Sequence, residues 1–111
     1  MKKLYLAGPM SGYPDRNFPA FHKAAAMLRA CGYEVVSPAE INAEHQYALN
    51  PTAELRAECM RRDIEALMQC DGVATLMNWQ RSKGAQCEIA IAEQLNLPIS
   101  PFEFLCAKHK T

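Results

Sequence analysis

Apolar and polar residues change their spacing several times along this chain, and each change marks an element. Leu4, Tyr5 and Leu6 form a short apolar run that stops at Gly8, which predicts a buried first strand over residues 2–8. Residues 17–32 then carry Phe18, Phe21, Ala25 and Leu28 at helical spacing. Asn17 is placed to cap this helix, Pro19 fits its first turn and Gly32 supplies its stop. A second strand is expected over 33–38, ended by Pro38. Residues 39–51 are polar and close on Asn50-Pro51, so they read as a loop with room for a short helical turn. The second long helix is predicted over 51–70 with Thr52 as its cap, and a third strand over 71–79. A helix over 82–95 and a fourth strand over 96–102 follow. Beyond Phe104 the tail reads as frayed, so the expected organisation is one domain over 1–104 and a C-terminal tail over 105–111.

Strands that alternate with helices, and are apolar on both faces, imply a parallel sheet covered on both sides. The predicted fold class is α/β: a single three-layer domain of Rossmann or flavodoxin-like type, with four to five parallel strands. Ligands in such folds sit beyond the carboxyl ends of the strands, where the loops at 8–17 and 78–83 emerge.

Two acids break the apolar pattern. Ala85, Ile89 and Ala92 mark the inner face of the helix at 82–95, and Glu88 lies within that stripe. Met60, Ile64 and Leu67 do the same for the helix at 51–70, with Asp63 among them. A carboxylate facing a core is unfavourable unless it is paired or hydrogen-bonded. Each acid, taken singly, could cap a neighbouring loop or pair with Arg56. Two of them, on helices flanking one strand, favour a site in which buried carboxyls do acid or nucleophilic chemistry. Ser82-Lys83-Gly84 opens the same helix as Glu88 and offers free amides and a hydroxyl to an anion, although Ser is also a common cap. Six residues of helix separate Ser82 from Glu88, about 9 Å at 1.5 Å per residue. That is roughly the span from a sugar 5′ group to C1′.

Composition narrows the field without choosing within it. The chain has 111 residues and a formal charge of zero with His neutral, which excludes the basic excess of a polymeric nucleic-acid binder. No run reaches the ~20 apolar residues of a membrane span, and the N-terminal apolar run is too short for a signal peptide. Five cysteines without a CxxC pair, and scattered His22, His45 and His109, argue for reduced thiols and no metal centre. A cytoplasmic protein without metal or cofactor is the resulting expectation.

Taken in order, several of these residues resemble the nucleoside 2-deoxyribosyltransferase-like superfamily, which includes deoxynucleoside monophosphate N-glycosidases. The residues are Tyr5-Leu6-Ala7-Gly8-Pro9, Asn17-Phe18-Pro19, Asp63 before Cys70-Asp71, Trp79, and Ser82-x-Gly84 with Glu88. Within it the chain looks closest to a small, often phage-encoded branch of uncharacterised function. The resemblance implies that Glu88 is the nucleophile on C1′, that Asp63 assists departure of the base, and that Tyr5 orients Glu88. It implies that Gly8, Pro9, Met10 and Ser11, with Ser82 and Gly84, hold the 5′ end. Trp79 could stack on the base or simply pack. Asp15 and Arg16, charged residues of the first loop, could touch ligand, although loop charges usually face water, and Asp71 is expected to be structural. The implied partner is a small nucleoside or nucleotide, in a homodimer or larger homo-oligomer, which a monomeric mass in solution would contradict. A nucleotide sensor on the same fold, and an interaction protein that keeps only the fold, remain the alternatives.

Overall fold

A computed structural model describes residues 2–46 and 51–108. The predicted loop at 39–51 therefore falls partly outside the described residues, as does the end of the tail. Four strands form one parallel sheet in the order β2-β1-β3-β4. These are β1 (Lys3–Ala7), β2 (Glu34–Val36), β3 (Gly72–Thr75) and β4 (Ile99–Pro101). The helices are α1 (Phe18–Ala30), α2 (Pro38–Ile41), α3 (Ala53–Leu67), α4 (Lys83–Gln94) and α5 (Phe102–Lys108).

The central strand explains the layering, because successive side chains of a strand point to opposite faces. Leu4 and Leu6 pack with Phe18, Phe21, Ala25 and Leu28 of α1 and with Cys106 of α5. Tyr5 and Ala7 pack on the other face with Leu67 of α3 and with Ile89 and Ala92 of α4. Each apolar stripe foreseen for α1 and α4 is thus a buried face, and the three-layer α/β architecture is as predicted. The chain leaves β1 for β2 on one side and returns to β3 on the other, so the sheet order reverses between β1 and β3. Leu76, just past β3, donates its amide to the Ala7 carbonyl at 2.9 Å. Gly8 lies so close that an added Cβ would stand 2.8 Å from the Leu76 side chain, which explains the glycine at this crossing. Asp71 is structural, its carboxylate accepting from the Lys3 amide at 2.9 Å.

Some local expectations are corrected. Asn17 precedes α1 but does not cap it through its side chain; its φ is +62° and its Nδ2 donates to the Pro9 carbonyl at 2.8 Å. That bond ties the two ends of the β1–α1 loop together, after a turn in which Asp15 and Arg16 are also left-handed. Thr52, by contrast, caps α3 by accepting from the Leu55 amide at 3.1 Å. The segment at 39–51, where it is described, holds short helical turns of the kind it had room for: Ser37 caps α2, and Ala43–His45 forms a 3₁₀ turn. Finally, the segment beyond Phe104 is not frayed up to Lys108. It completes α5, and Cys106 is buried against α1 while Phe104 faces out.

Candidate active site

A cavity of about 580 Å³ opens beyond the carboxyl ends of β1 and β3, at the reversal of strand order. Gly8, Pro9, Met10 and Ser11 line it from the β1–α1 loop, Asp63 from α3, and Ser82, Gly84 and Glu88 from the start of α4. Glu88 and Asp63 are 5% and 8% exposed, on adjacent helices, and share a side-chain hydrogen bond. Both inward acids of the sequence therefore converge on one cavity, with Ser82 on its wall. Tyr5 lies beneath, fully buried, and its hydroxyl donates to Glu88 Oε2 at 2.8 Å. Because side chains alternate along β1, this phenol belongs to the α3–α4 face, directly under the acid.

Burial dominates the electrostatics of the pair. It pushes the Glu88 carboxyl up to about 8, with the charge of Asp63 adding to the rise and the Tyr5 hydroxyl opposing it. Asp63 is raised by burial to about 6, held down by a hydrogen bond from Asn42 and by the charge of Arg62. Burial next to these acids also drives the Tyr5 phenol well above its ordinary value, so it remains a donor. Near neutral pH the pair retains one proton between two carboxyls, as closely coupled acids do.

Ser82 is the cap of α4, its Oγ accepting from the Ala85 amide at 3.2 Å. Its hydroxyl hydrogen and the first-turn amides remain to face a ligand. Packing does not demand Gly84: an added Cβ would meet only Met60 Cε at 3.5 Å and Ser82 Oγ at 3.9 Å. The missing side chain keeps the cavity wall low. Gly84→Ala is expected to raise stability by about 0.5–1 kcal/mol, as helical Gly→Ala changes do, while weakening ligand binding. Thermal melts beside a binding titration check this, and unchanged affinity would mean that no ligand reaches Gly84.

Of the two readings open for Trp79, stacking on a base or packing, the structure shows packing. Its side chain does not line the cavity but packs against the core under α3 and α4, because Asn78 turns left-handed after β3 and starts a 3₁₀ turn at Trp79. Three residues outside the predicted site set do reach the cavity, Asn42 alone among them without any expectation from the sequence. Arg16, half-buried, lines it from the left-handed turn, with one bond to the His45 carbonyl at 3.4 Å. Arg56 lines it from α3 and bonds the Pro51 carbonyl, rather than pairing with either acid. Asn42 reaches it from the end of α2. The left-handed turn and the position of Asn42 depend on tertiary contacts and leave no periodic trace. Among the described residues no cluster of His, Cys, Asp and Glu could hold a metal, and no helix is long and apolar enough to cross a membrane.

The fold that carries this crevice, a four-stranded parallel sheet flanked by helices, resembles that of a 2-deoxyribosyltransferase. The chain is similar to the 2-deoxyribosyltransferase of the psychrotolerant bacterium Bacillus psychrosaccharolyticus, with 25% identity and a TM-score of 0.65, over 89% of this chain and 72% of that one. It is also similar in fold to a conserved protein of Enterococcus faecalis V583, with 21% identity and a TM-score of 0.64, over 90% of this chain and 62% of that one. No curated protein matches it in sequence. Residues 2–100 match the family described as a domain of unknown function, DUF4406, and the chain belongs to that family.

Proposed function

We propose that the protein cleaves the N-glycosidic bond of a nucleoside or deoxynucleoside, or its 5′-monophosphate, passing the sugar to water or to a second base. The observation that carries this reading is the buried, hydrogen-bonded Glu88–Asp63 pair with the Tyr5 hydroxyl on Glu88. The similar Bacillus enzyme, a biocatalyst for nucleoside synthesis, supports a nucleoside ligand.

The chemistry follows that of a retaining glycosidase. Burial leaves the shared proton chiefly on Glu88; once it has passed to Asp63, the Glu88 carboxylate attacks C1′ while the C1′–N bond breaks. Its electron pair goes to the base nitrogen, and Asp63 delivers the proton to the departing base. Tyr5 steadies the attacking carboxylate through its hydroxyl. A glycosyl ester on Glu88 results, and Asp63 is left ionised. Water then attacks C1′, giving its proton to Asp63 and releasing Glu88; in a transferase a second base takes the place of water. Arg56, Arg81 and Lys83 line the cavity without a carboxylate ion-pair partner among the described residues, which favours a 5′-phosphate over a 5′-hydroxyl. A homodimer remains part of the proposal.

The test is base release from a panel of ribo- and deoxyribonucleosides and their 5′-monophosphates, with and without added free base. Release, faster for the monophosphates, is the expected result. Nucleotide binding without any release would transfer the reading to a sensor. The rate is expected to follow a bell in pH. Below about 6 both carboxyls hold protons and the nucleophile is lost, and above about 8 both are ionised and the acid is lost. Initial rates from pH 4.5 to 9.5 check this; a profile flat through neutrality would separate the chemistry from the pair.

A further inference from the structure

Asn42 is 4% exposed and stands at the end of α2, between the cavity and α3. Its Nδ2 donates two hydrogen bonds, to the Pro38 carbonyl at 3.0 Å and to Asp63 Oδ1 at 3.0 Å. The first bond settles the orientation of the amide, because a backbone carbonyl only accepts and Nδ2 must therefore face it. Asn42 Oδ1 then meets the Arg62 Nη1 donor at 3.4 Å, which agrees in sense. Both Nδ2 hydrogens are committed in this arrangement. Asp63 Oδ1 is an acceptor whatever the charge of the pair, and a proton on Asp63 has one remaining place, Oδ2.

From this geometry we infer that Asn42 is a positioning residue, which confines the proton of Asp63 to Oδ2, the oxygen left for Glu88 and for a departing base. Its kinetic consequence rests on the glycosidic reading; the hydrogen bonds and their effect on the carboxyl pair do not. The groups facing Asp63 are Glu88 from α4, Tyr5 from β1, Cys59 and Arg62 from α3, and Arg16 from the β1–α1 loop. Burial works against ionisation of Asp63, and of the contacts that oppose burial the Asn42 bond comes first, ahead of Arg62 and Arg16. A donor fixed from below thus does two things. It keeps Asp63 ionisable in a dry site, and it aims the acid's proton away from α2 and towards the cavity.

Two measurements test this, and the first needs no variant and no substrate. In the ligand-free protein, the side-chain amide resonances of Asn42 are followed from pH 4 to 9.5 beside the carboxyl carbon of Asp63. Common midpoints are expected; an Asn42 amide that stays fixed while Asp63 titrates would overturn the inference. The second uses Asn42→Leu, close in size but without donors. The Asp63 midpoint is expected to rise by about one to two units, the loss of one hydrogen bond to a charged group. In the rate profile the acid limb should move with it, kcat should fall more than KM rises, and the loss should be greater at pH 6 than at pH 7.5. A variant that melts earlier but keeps both midpoints would make Asn42 a mere staple between α2 and α3 and end the proposal. If Asn42→Leu does not fold, the wild-type amide titration decides alone. A shifted Asp63 midpoint in a protein that releases no base would leave the role of Asn42 intact and remove the glycosidic reading instead.

Discussion

Glu88→Gln is expected to abolish base release, lowering kcat by about 10⁴-fold or more, the scale of loss when a covalent nucleophile is removed. The substitution is nearly isosteric and suits its surroundings. The new amide oxygen can accept from the Tyr5 hydroxyl that Glu88 Oε2 accepts from at 2.8 Å, and the new NH₂ can donate to Asp63. The fold and the cavity wall should persist, so the loss is one of chemistry. Ligand affinity, read by calorimetry, should stay within a few-fold of wild type. Mass spectrometry of quenched wild-type reactions should find a glycosyl adduct on the peptide containing Glu88, and none in the variant. A variant that keeps even a tenth of the wild-type rate would remove Glu88 from the role of nucleophile.

Glu88 could be picked out in the sequence for the same reason that it is reactive. It interrupts an apolar stripe in a twelve-residue helix whose other inner positions, Ala85, Ile89 and Ala92, are all buried. A helix of that length repeats its pattern often enough for one wrong residue to stand out. Asp63 was visible on the same grounds in the fifteen residues of α3. Short elements offer no such repetition. α5 has seven residues, two turns, and follows Pro101, so the buried Cys106 and the exposed Phe104 could not be told from a tail. Asn42 was hidden by a different limit, and Arg16 could be read only as a loop charge. Their roles come from partners distant in sequence, Asp63 for the first and the His45 carbonyl for the second, and no local spacing encodes either contact. Asn17 shows a third case. Its position before a helix is that of a cap, yet the side chain is taken by Pro9 and the backbone turns left-handed. A bond across the β1–α1 loop took the place of the cap.

The buried position that suits Glu88 to its task should also make the wild-type protein less stable as pH rises. A glutamate ordinarily titrates at 4.5, and in the folded protein burial and Asp63 carry Glu88 up to about 8. Between those values the folded chain binds more protons than the unfolded one, so folding loses free energy with each unit of pH. The stability contributed by the protonated group is whole below 4.5 and is lost as pH passes through 8. A shift of this size corresponds to up to about 5 kcal/mol, with Asp63 sharing part of it because the two acids titrate as a pair. Glutamine at position 88 never ionises, so Glu88→Gln should be close to wild type at pH 5 and more stable by at least about 2 kcal/mol at pH 8.5. For a domain of this length that is a rise in melting temperature of about 8 °C or more. Comparing variant with wild type at each pH cancels the titration of groups that do not interact with this pair. A difference that grows from pH 5 to 8.5 would show that the fold holds an acid it would be more stable without. A difference that does not change with pH would mean that Glu88 meets water in the folded state, and the nucleophile would then lack the dry setting on which the proposed reaction depends.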